Sequence, residues 1–312
     1  MELPEYRIGN LTVIKVWELD LDDFAATQLL PEIEPDTLAS DPAAMDSRTY
    51  NRDTGKVKLS VHSWLLRGGG KTILIDTCVG NDKDRPKLKA LDHQHTPYLA
   101  RLRSAGVRPE EIDYILLTHL HADHVGWNTQ LVDDHWVPTF PNATIVCSGL
   151  EWRYGAALAS KDDAAIQAAR AEAKLGQPIR TPVDGVFQDS LAPLEQTGSL
   201  RRITIDGSEV LEGIRFLSAP GHSIDHAAIA VSSQGEHAIF GGDIAHHPLE
   251  MSQPELVSMF CEFPDAARSS RRRLLDRAAE SGVLFFSSHF PASSVGRVTR
   301  NGGSYRWRFF ED

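Results

Sequence analysis

The chain has 312 residues, 41% hydrophobic and 24% charged, a balance that excludes disordered and fibrous classes and is sufficient to bury a core. With 32 basic against 43 acidic side chains the formal charge is -11, so nothing in it is laid out for a phosphate backbone and nucleic acid is not an expected partner. Three widely spaced cysteines, Cys78, Cys147 and Cys261, argue against a disulfide framework and for a cytoplasmic setting, while the acidic start and short apolar runs predict neither a leader nor a membrane span.

Short apolar or alternating runs predict strands over 11–17, 57–67, 71–77, 113–118, 143–148, 201–205, 214–219, 227–232, 237–242 and 283–288. Residues 18–56 are acidic, carry three prolines and have no sustained periodicity, so they read as an extended arm, either a solvated loop or a cover for a pocket or a subunit partner. Helices are predicted over 86–105, over the Ala-rich stretch 149–175 and over 264–281. The stretch around 155–199, whose second half is irregular, reads as an insertion between core elements. The mixture predicts a layered α/β (α+β) fold, taken as a single domain over 1–312.

Thirteen histidines stand out, and their placement matters more than their number. In ILLTHLHADHVGW an apolar strand ends and His119, His121, Asp123 and His124 follow at once. His119 and His121, two apart in extended chain, point the same way, whereas Asp123 and His124 lie past a bend and reach a point displaced by a few ångströms, which suits two adjacent metals. Further metal-binding residue types follow other strands: His222 after IRFLSA, Asp243 after HAIFGG and His289 after VLFFSS. Such residues at the ends of separate strands describe a site built from loops above a rigid sheet.

The series H-x-H-x-D-H, Gly-His, Gly-Asp and a final His resembles the metallo-β-lactamase-fold superfamily, and the order of these residues runs over nearly the whole chain. That resemblance implies a four-layer αββα sandwich with the site at one edge of the two sheets. It implies that His119, His121 and His222 hold one metal, that Asp123, His124 and His289 hold a second, and that Asp243 bridges them. It also gives Asp76, in ILIDTCVG, the role of orienting a ligating histidine. Imidazole and carboxylate without thiolate suit two divalent ions, Zn²⁺ first, with Mn, Fe or Co admissible. Four metal charges less two carboxylates and one hydroxide leave about +1, favourable to an oxyanion, so the expected chemistry is attack of a metal-bridging hydroxide on a small ester or lactone. Asp243 departs from the Cys or Ser of zinc β-lactamases, and only a short tail follows His289, unlike the glyoxalase II pattern. The ending SSHFPASSVGRVTRNGGSYRWRFF resembles the N-acyl-homoserine lactonase and methyl parathion hydrolase-like branch, in which a homodimer is expected with residues 18–56 as a contact. Lactonases of that branch often have a tyrosine three residues after the bridging aspartate, and His246 occupies that position here as a candidate hydrogen-bond donor to a leaving group or oxyanion. Organophosphate triester hydrolysis is the alternative within enzymes, and a metal-containing binding protein without turnover the alternative outside them.

Other residues carry weaker expectations. His93 and His95 read as solvated histidines without a carboxylate at suitable spacing, His226 as packing or hydrogen-bonding near the site, and His247 as facing solvent. Phe24 and Trp127 are candidate apolar walls of a substrate pocket, and RSSRRR (268–273) reads as the polar face of an amphipathic helix.

Overall fold

The computed structural model describes residues 4–311, and two seven-stranded sheets organise them. The first sheet is laid down in chain order: Glu5–Ile8, Leu11–Leu21, Leu59–Gly68, Lys71–Ile75, Tyr114–Leu116, Thr144–Ser148 and Leu200–Ile203. The second follows, also in chain order: Glu209–Leu211, Ile214–Ser218, Ala227–Ser233, Glu236–Phe240, Leu284–Phe286, Val295–Asn301 and Ser304–Phe309. Side-chain alternation sets the layers. In the first sheet Leu65, Leu74, Ile115 and Ile145 join a core beneath helices, whereas Trp64, Leu66, Ile73, Ile75, Leu116 and Val146 meet Ile229, Phe240 and Phe286 of the second sheet. The opposite face of the second sheet, with Ala228, Ile239, Phe285 and Val298, packs on helix Pro264–Ser281. The αββα layering expected from the resemblance is therefore present.

Several boundaries differ from the sequence reading, each for a local reason. The strand predicted over 11–17 runs on to Leu21, because a bulge between Trp17 and Leu19 turns the extra residue, Glu18, into the interior. There its carboxylate accepts from Val79 N (2.7 Å), Thr96 Oγ1 (2.9 Å) and Trp127 Nε1 (2.5 Å). The rest of the expected arm is folded: short helices Ala26–Leu29, Pro35–Ser40 and Pro42–Met45 precede a hairpin of Tyr50–Asn51 and Lys56–Val57, with Leu29, Leu30 and Ile33 buried in the first core. The helix predicted over 86–105 is only a turn at Lys89–Leu91 and a helix at Tyr98–Ser104, since Pro86 and Pro97 break the earlier stretch. That over 149–175 is two helices, Gly149–Ser160 and Asp163–Ala173, parted at Lys161, whose φ of 56° is left-handed. The strand Glu5–Ile8 and the hairpin Thr129–Val132/His135–Pro138 are additions.

The helix over 264–281 stands where predicted, started by Pro264 and stopped by Gly282 at φ 62°. Its arginine run is not a uniform polar face, however. Arg271 falls on the buried stripe with Ala267, Leu274, Leu275 and Ala278, at the helical spacing that a charge count does not register. No helix among the described residues is long and apolar enough to cross a membrane.

Candidate metal centre and its pocket

Four strands deliver the candidate ligands to one edge of the sandwich. Tyr114–Leu116 is followed by His119, His121, Asp123 and His124; Ile214–Ser218 by His222; Glu236–Phe240 by Asp243; and Leu284–Phe286 by His289. The ends of the two sheets are tied together there, Ala227 N donating to Thr118 O over 3.0 Å. The turn after His124 depends on Gly126: a Cβ at that position would lie 1.6 Å from Val79 O, so no side chain fits without moving backbone. Trp127, expected as a pocket wall, is instead a core residue, 4% exposed and stacked on Tyr98, because its indole N–H is taken by Glu18.

Asp243 occupies the centre. Its Oδ2 lies 3.1 Å from His289 Nε2, 3.2 Å from His222 Nε2, 3.3 Å from His246 Nε2 and 3.9 Å from His119 Nε2, and its Oδ1 lies 3.2 Å from His124 Nε2. Asp123, the most open of the set, comes within 3.6 Å of His289 Nε2. Ligand-type atoms form compact groups of His119, His121 and His222, of Asp123, His124 and His289, of His119, His124 and Asp243, and of His222, Asp243 and His246. The first two groups are the two trios the resemblance implies. Burial disfavours the protonated forms of His119 and His222 and holds both well below the ordinary histidine value. Burial also opposes the charge of Asp243, yet the imidazoles of His124, His289 and His222 hold its carboxyl well below the usual range.

This donor set fits cations. His121 Nδ1 lies 2.8 Å from His222 Nε2, which lies 3.1 Å from His119 Nε2, and a single proton can bridge only one such pair. Asp243 Oδ1 and both ring nitrogens of His246 are buried without an aligned hydrogen-bond partner. Converging nitrogen lone pairs around an ionised carboxylate are what one or two divalent ions reconcile.

The far nitrogens of the histidines are held by the surrounding fold. Asp76, buried and at φ 58°, accepts from Thr118 N and Thr118 Oγ1 and faces His124 Nδ1, each over 2.8 Å. His289 Nδ1 meets Ser60 O at 3.1 Å, and His226 joins Ala219 O (3.0 Å) to the backbone N–H of Asp243 (2.9 Å). Two buried carboxylates escaped the sequence reading. Glu262 Oε1 lies 3.0 Å from His121 Nε2, leaving His121 to offer Nδ1. Glu250 Oε2 accepts from the backbone N–H of His246 (2.6 Å) and of His247 (3.2 Å) and so shapes that turn, while its other oxygen pairs with Arg271. Glu262 is 141 residues from His121, so no spacing signal exists for it; Glu250 has only the weak one of lying four residues after His246.

Three histidines differ from expectation in some respect. His247 is fully buried, its Nε2 donating to Thr49 O over 2.8 Å, because the folded segment after residue 40 covers it. His93 and His95 are exposed as expected, but carboxylates do lie beside them, Asp92 at 2.8 Å and Asp82 at 3.4 Å, since the loop turns back on itself at His93.

Above the centre opens a cavity of about 210 Å³ whose floor includes His121, Asp123, His222, Asp243, His246 and His289. Most of its wall is apolar: Leu21 and Phe24 come from the N-terminal segment, Leu88 and Leu91 from the loop after residue 80, and Met259 and Phe260 from the loop before helix Pro264–Ser281, while Lys87 and Arg180 add two cations. Phe24, a candidate wall residue from the sequence, lines this cavity edge-on to Phe260 at 5.6 Å. Residues 180–183, within the stretch read as an insertion, close the remaining side.

Comparison with known proteins agrees with this architecture. Residues 57–289 match the profile of the Metallo-beta-lactamase superfamily. A Beta-lactamase-like protein 2 homolog from Drosophila melanogaster is 30% identical over 183 residues, covering 58% of this chain and 46% of that protein. An N-acyl homoserine lactonase from Bacillus thuringiensis is 24% identical over 190 residues, covering 60% of each. The chain therefore spans less than two thirds of the length of these curated relatives. Among solved structures, hydrolase AbOPH of the beta lactamase superfamily aligns with a TM-score of 0.75 at 22% identity, over 99% of this chain and 97% of that one. The dizinc quorum-quenching lactonase AidC aligns with a TM-score of 0.72 at 19% identity, over 98% and 97%. At such identities the structural likeness is one of fold.

Proposed function

The chain belongs to the metallo-beta-lactamase superfamily, and from that premise we propose that it is a hydrolase holding two divalent metal ions, zinc first among them, that cleaves a small ester or lactone. The observation that carries the reading is the convergence of six imidazoles and two carboxylates, centred on Asp243, beneath a largely apolar cavity whose floor four of those imidazoles and both carboxylates reach. His119, His121 and His222 would hold one ion, Asp123, His124 and His289 the other, with Asp243 between them. Bound there, divalent ions supply an acidified water as nucleophile and polarise the acyl oxygen.

The chain's own residues do the rest. Asp76 and Glu262 keep His124 and His121 aimed inward. The walls contributed by Phe24, Leu88 and Phe260 exclude bulk water and favour an apolar acyl or alkoxy portion. His246 stacks over His289 with ring planes 7° apart and 5.5 Å between centroids, its backbone fixed by Glu250. We assign it the hydrogen bond to the developing oxyanion or leaving oxygen. Replacing it by phenylalanine is expected to lower kcat about 100-fold while both metals stay bound. Loss of one metal in that variant would make His246 a ligand instead.

The test of the whole reading is metal content per chain beside initial rates on lactones, aryl esters and phosphotriesters, before and after chelation. The expected result is two zinc equivalents and chelator-sensitive cleavage of a lactone or ester. Preference for the triesters selects the organophosphate alternative. One iron per chain, or two metals with no turnover on any substrate, overturns the reading.

A further inference from the structure

One group in the pocket wall has no part in the proposed hydrolysis. Arg180 lies between helices Asp163–Ala173 and Val186–Ser190 and lines the cavity among Phe24, Leu88, Val183 and Phe260. It is half-buried, and its Nε is shut off from solvent without a hydrogen-bond partner. Among the described residues no carboxylate lies within ion-pair range of it. Its neighbours in charge are already engaged: Lys87, the other cation on the cavity wall, sits 2.6 Å from Asp184, and Arg170 donates to Gln177 and Tyr154. Burial raises the Glu262 carboxyl, which His121 chiefly and then Arg170 and Arg180 pull back, and the partner in contact with Glu262 is His121.

The backbone holds Arg180 in place. Ile179 N donates to Glu262 O and Glu262 N to His222 O, each over 2.9 Å, so the segment bearing Arg180 is two hydrogen bonds from a candidate metal ligand. A guanidinium kept beside apolar walls with a desolvated, unsatisfied donor opposes folding unless something else is gained. In a substrate cavity that gain is a ligand acceptor, and the planar fork of donors matches a carboxylate.

Resting on the hydrolase reading above, we propose that Arg180 recognises a carboxylate on the substrate remote from the bond that is cleaved, so that the preferred substrate is a monoanionic ester or lactone.

The experiment compares para-nitrophenyl hydrogen adipate with para-nitrophenyl hexanoate, matched in chain length and differing in the terminal carboxylate, on the metal-loaded protein and on its R180M and R180K variants. The expected kcat/KM ratio favours the adipate about tenfold in the unaltered protein, falls to about one in R180M and is partly kept in R180K. A ratio at or below one in the unaltered protein, or the same ratio in R180M, overturns the proposal. Chelator-sensitive turnover of the neutral hexanoate decides the hydrolase reading separately. If neither ester turns over, that reading fails on its own, and calorimetric binding of monomethyl adipate to the unaltered protein and to R180M still decides the role of Arg180, equal affinity overturning it.

Discussion

Replacing Asp243 by alanine is expected to remove both metals at ordinary protein concentrations and to lower kcat/KM by at least about 1000-fold. The reason lies in the geometry: five imidazole nitrogens stand within 3.9 Å of its two oxygens, whereas Asp123 comes within 3.6 Å of His289 alone at the open side and Asp76 and Glu262 face the far nitrogens of His124 and His121. Without it, the nitrogens of His119, His121 and His222 still converge, but the negative charge that compensates two dications in a buried site is halved. Asp243→Asn keeps the volume and loses the charge, so it should resemble the alanine variant. Metal analysis of the purified variants, with circular dichroism to confirm folding, is the check. An alanine variant with two metals and full turnover would falsify the arrangement proposed for the centre.

Arg271→Met is expected to cost about 3–5 kcal/mol of stability, the cost of leaving a buried charge alone. Arg271 is fully buried inside helix Pro264–Ser281 and donates to Ile244 O (2.8 Å), Pro254 O (3.0 Å), Leu256 O and the Glu250 carboxylate. Removing it strands Glu250, which is equally buried and holds the His246 turn. Melting should fall by roughly 6–20 °C, and the double variant E250Q/R271M should recover part of that, since neither charge is then left unpaired. Acid provides a second reading of the pair. Burial by itself would raise the Glu250 carboxyl, but Arg271 and His246 hold it at about 2, below its ordinary 4.5. Glu250 therefore stabilises the fold fully above pH 4.5 and loses that contribution as the pH falls towards 2. Thermal melts across that window should show a shallower acid loss in R271M than in the unaltered protein, and a variant melting within a degree or two of it at neutral pH would sink the argument.

What the sequence makes legible is whatever residue type and position beside an apolar run can mark. His119, His121, Asp123 and His124 share one strand end, and His222, Asp243 and His289 each follow an apolar run, so residue type and position suffice to suggest that they meet. The two-sheet layering is likewise written in runs such as Trp64–Leu65–Leu66 and Ile73–Leu74–Ile75, whose alternate members enter different cores. The unread part depends on partners distant in sequence. Glu18 looks like a solvated acid until a bulge turns it inward, and Arg271 looks like one member of a polar run until Glu250 meets it from 21 residues away. Trp127 shows the converse failure, since its place after the histidine motif suggested a pocket wall but Glu18, 109 residues earlier, draws its indole into the core. The break in 86–105 is a local signal in Pro86 and Pro97, each of which disfavours helix at the residue before it.

The consecutive order of the two sheets has a consequence for how the protein closes. Residues up to 203 build one sheet and carry His119, His121, Asp123 and His124; residues from 209 build the other and carry His222, Asp243, His246 and His289. Neither half can assemble either metal trio from its own side chains. On the proposed ligand set, metal binding would act as a clasp across the sandwich: each ion would bind only the docked halves, and its binding free energy would add to their cohesion. The melting temperature should then be a titratable function of free metal, and a cell's metal supply would set the lifetime of the folded chain as well as its activity.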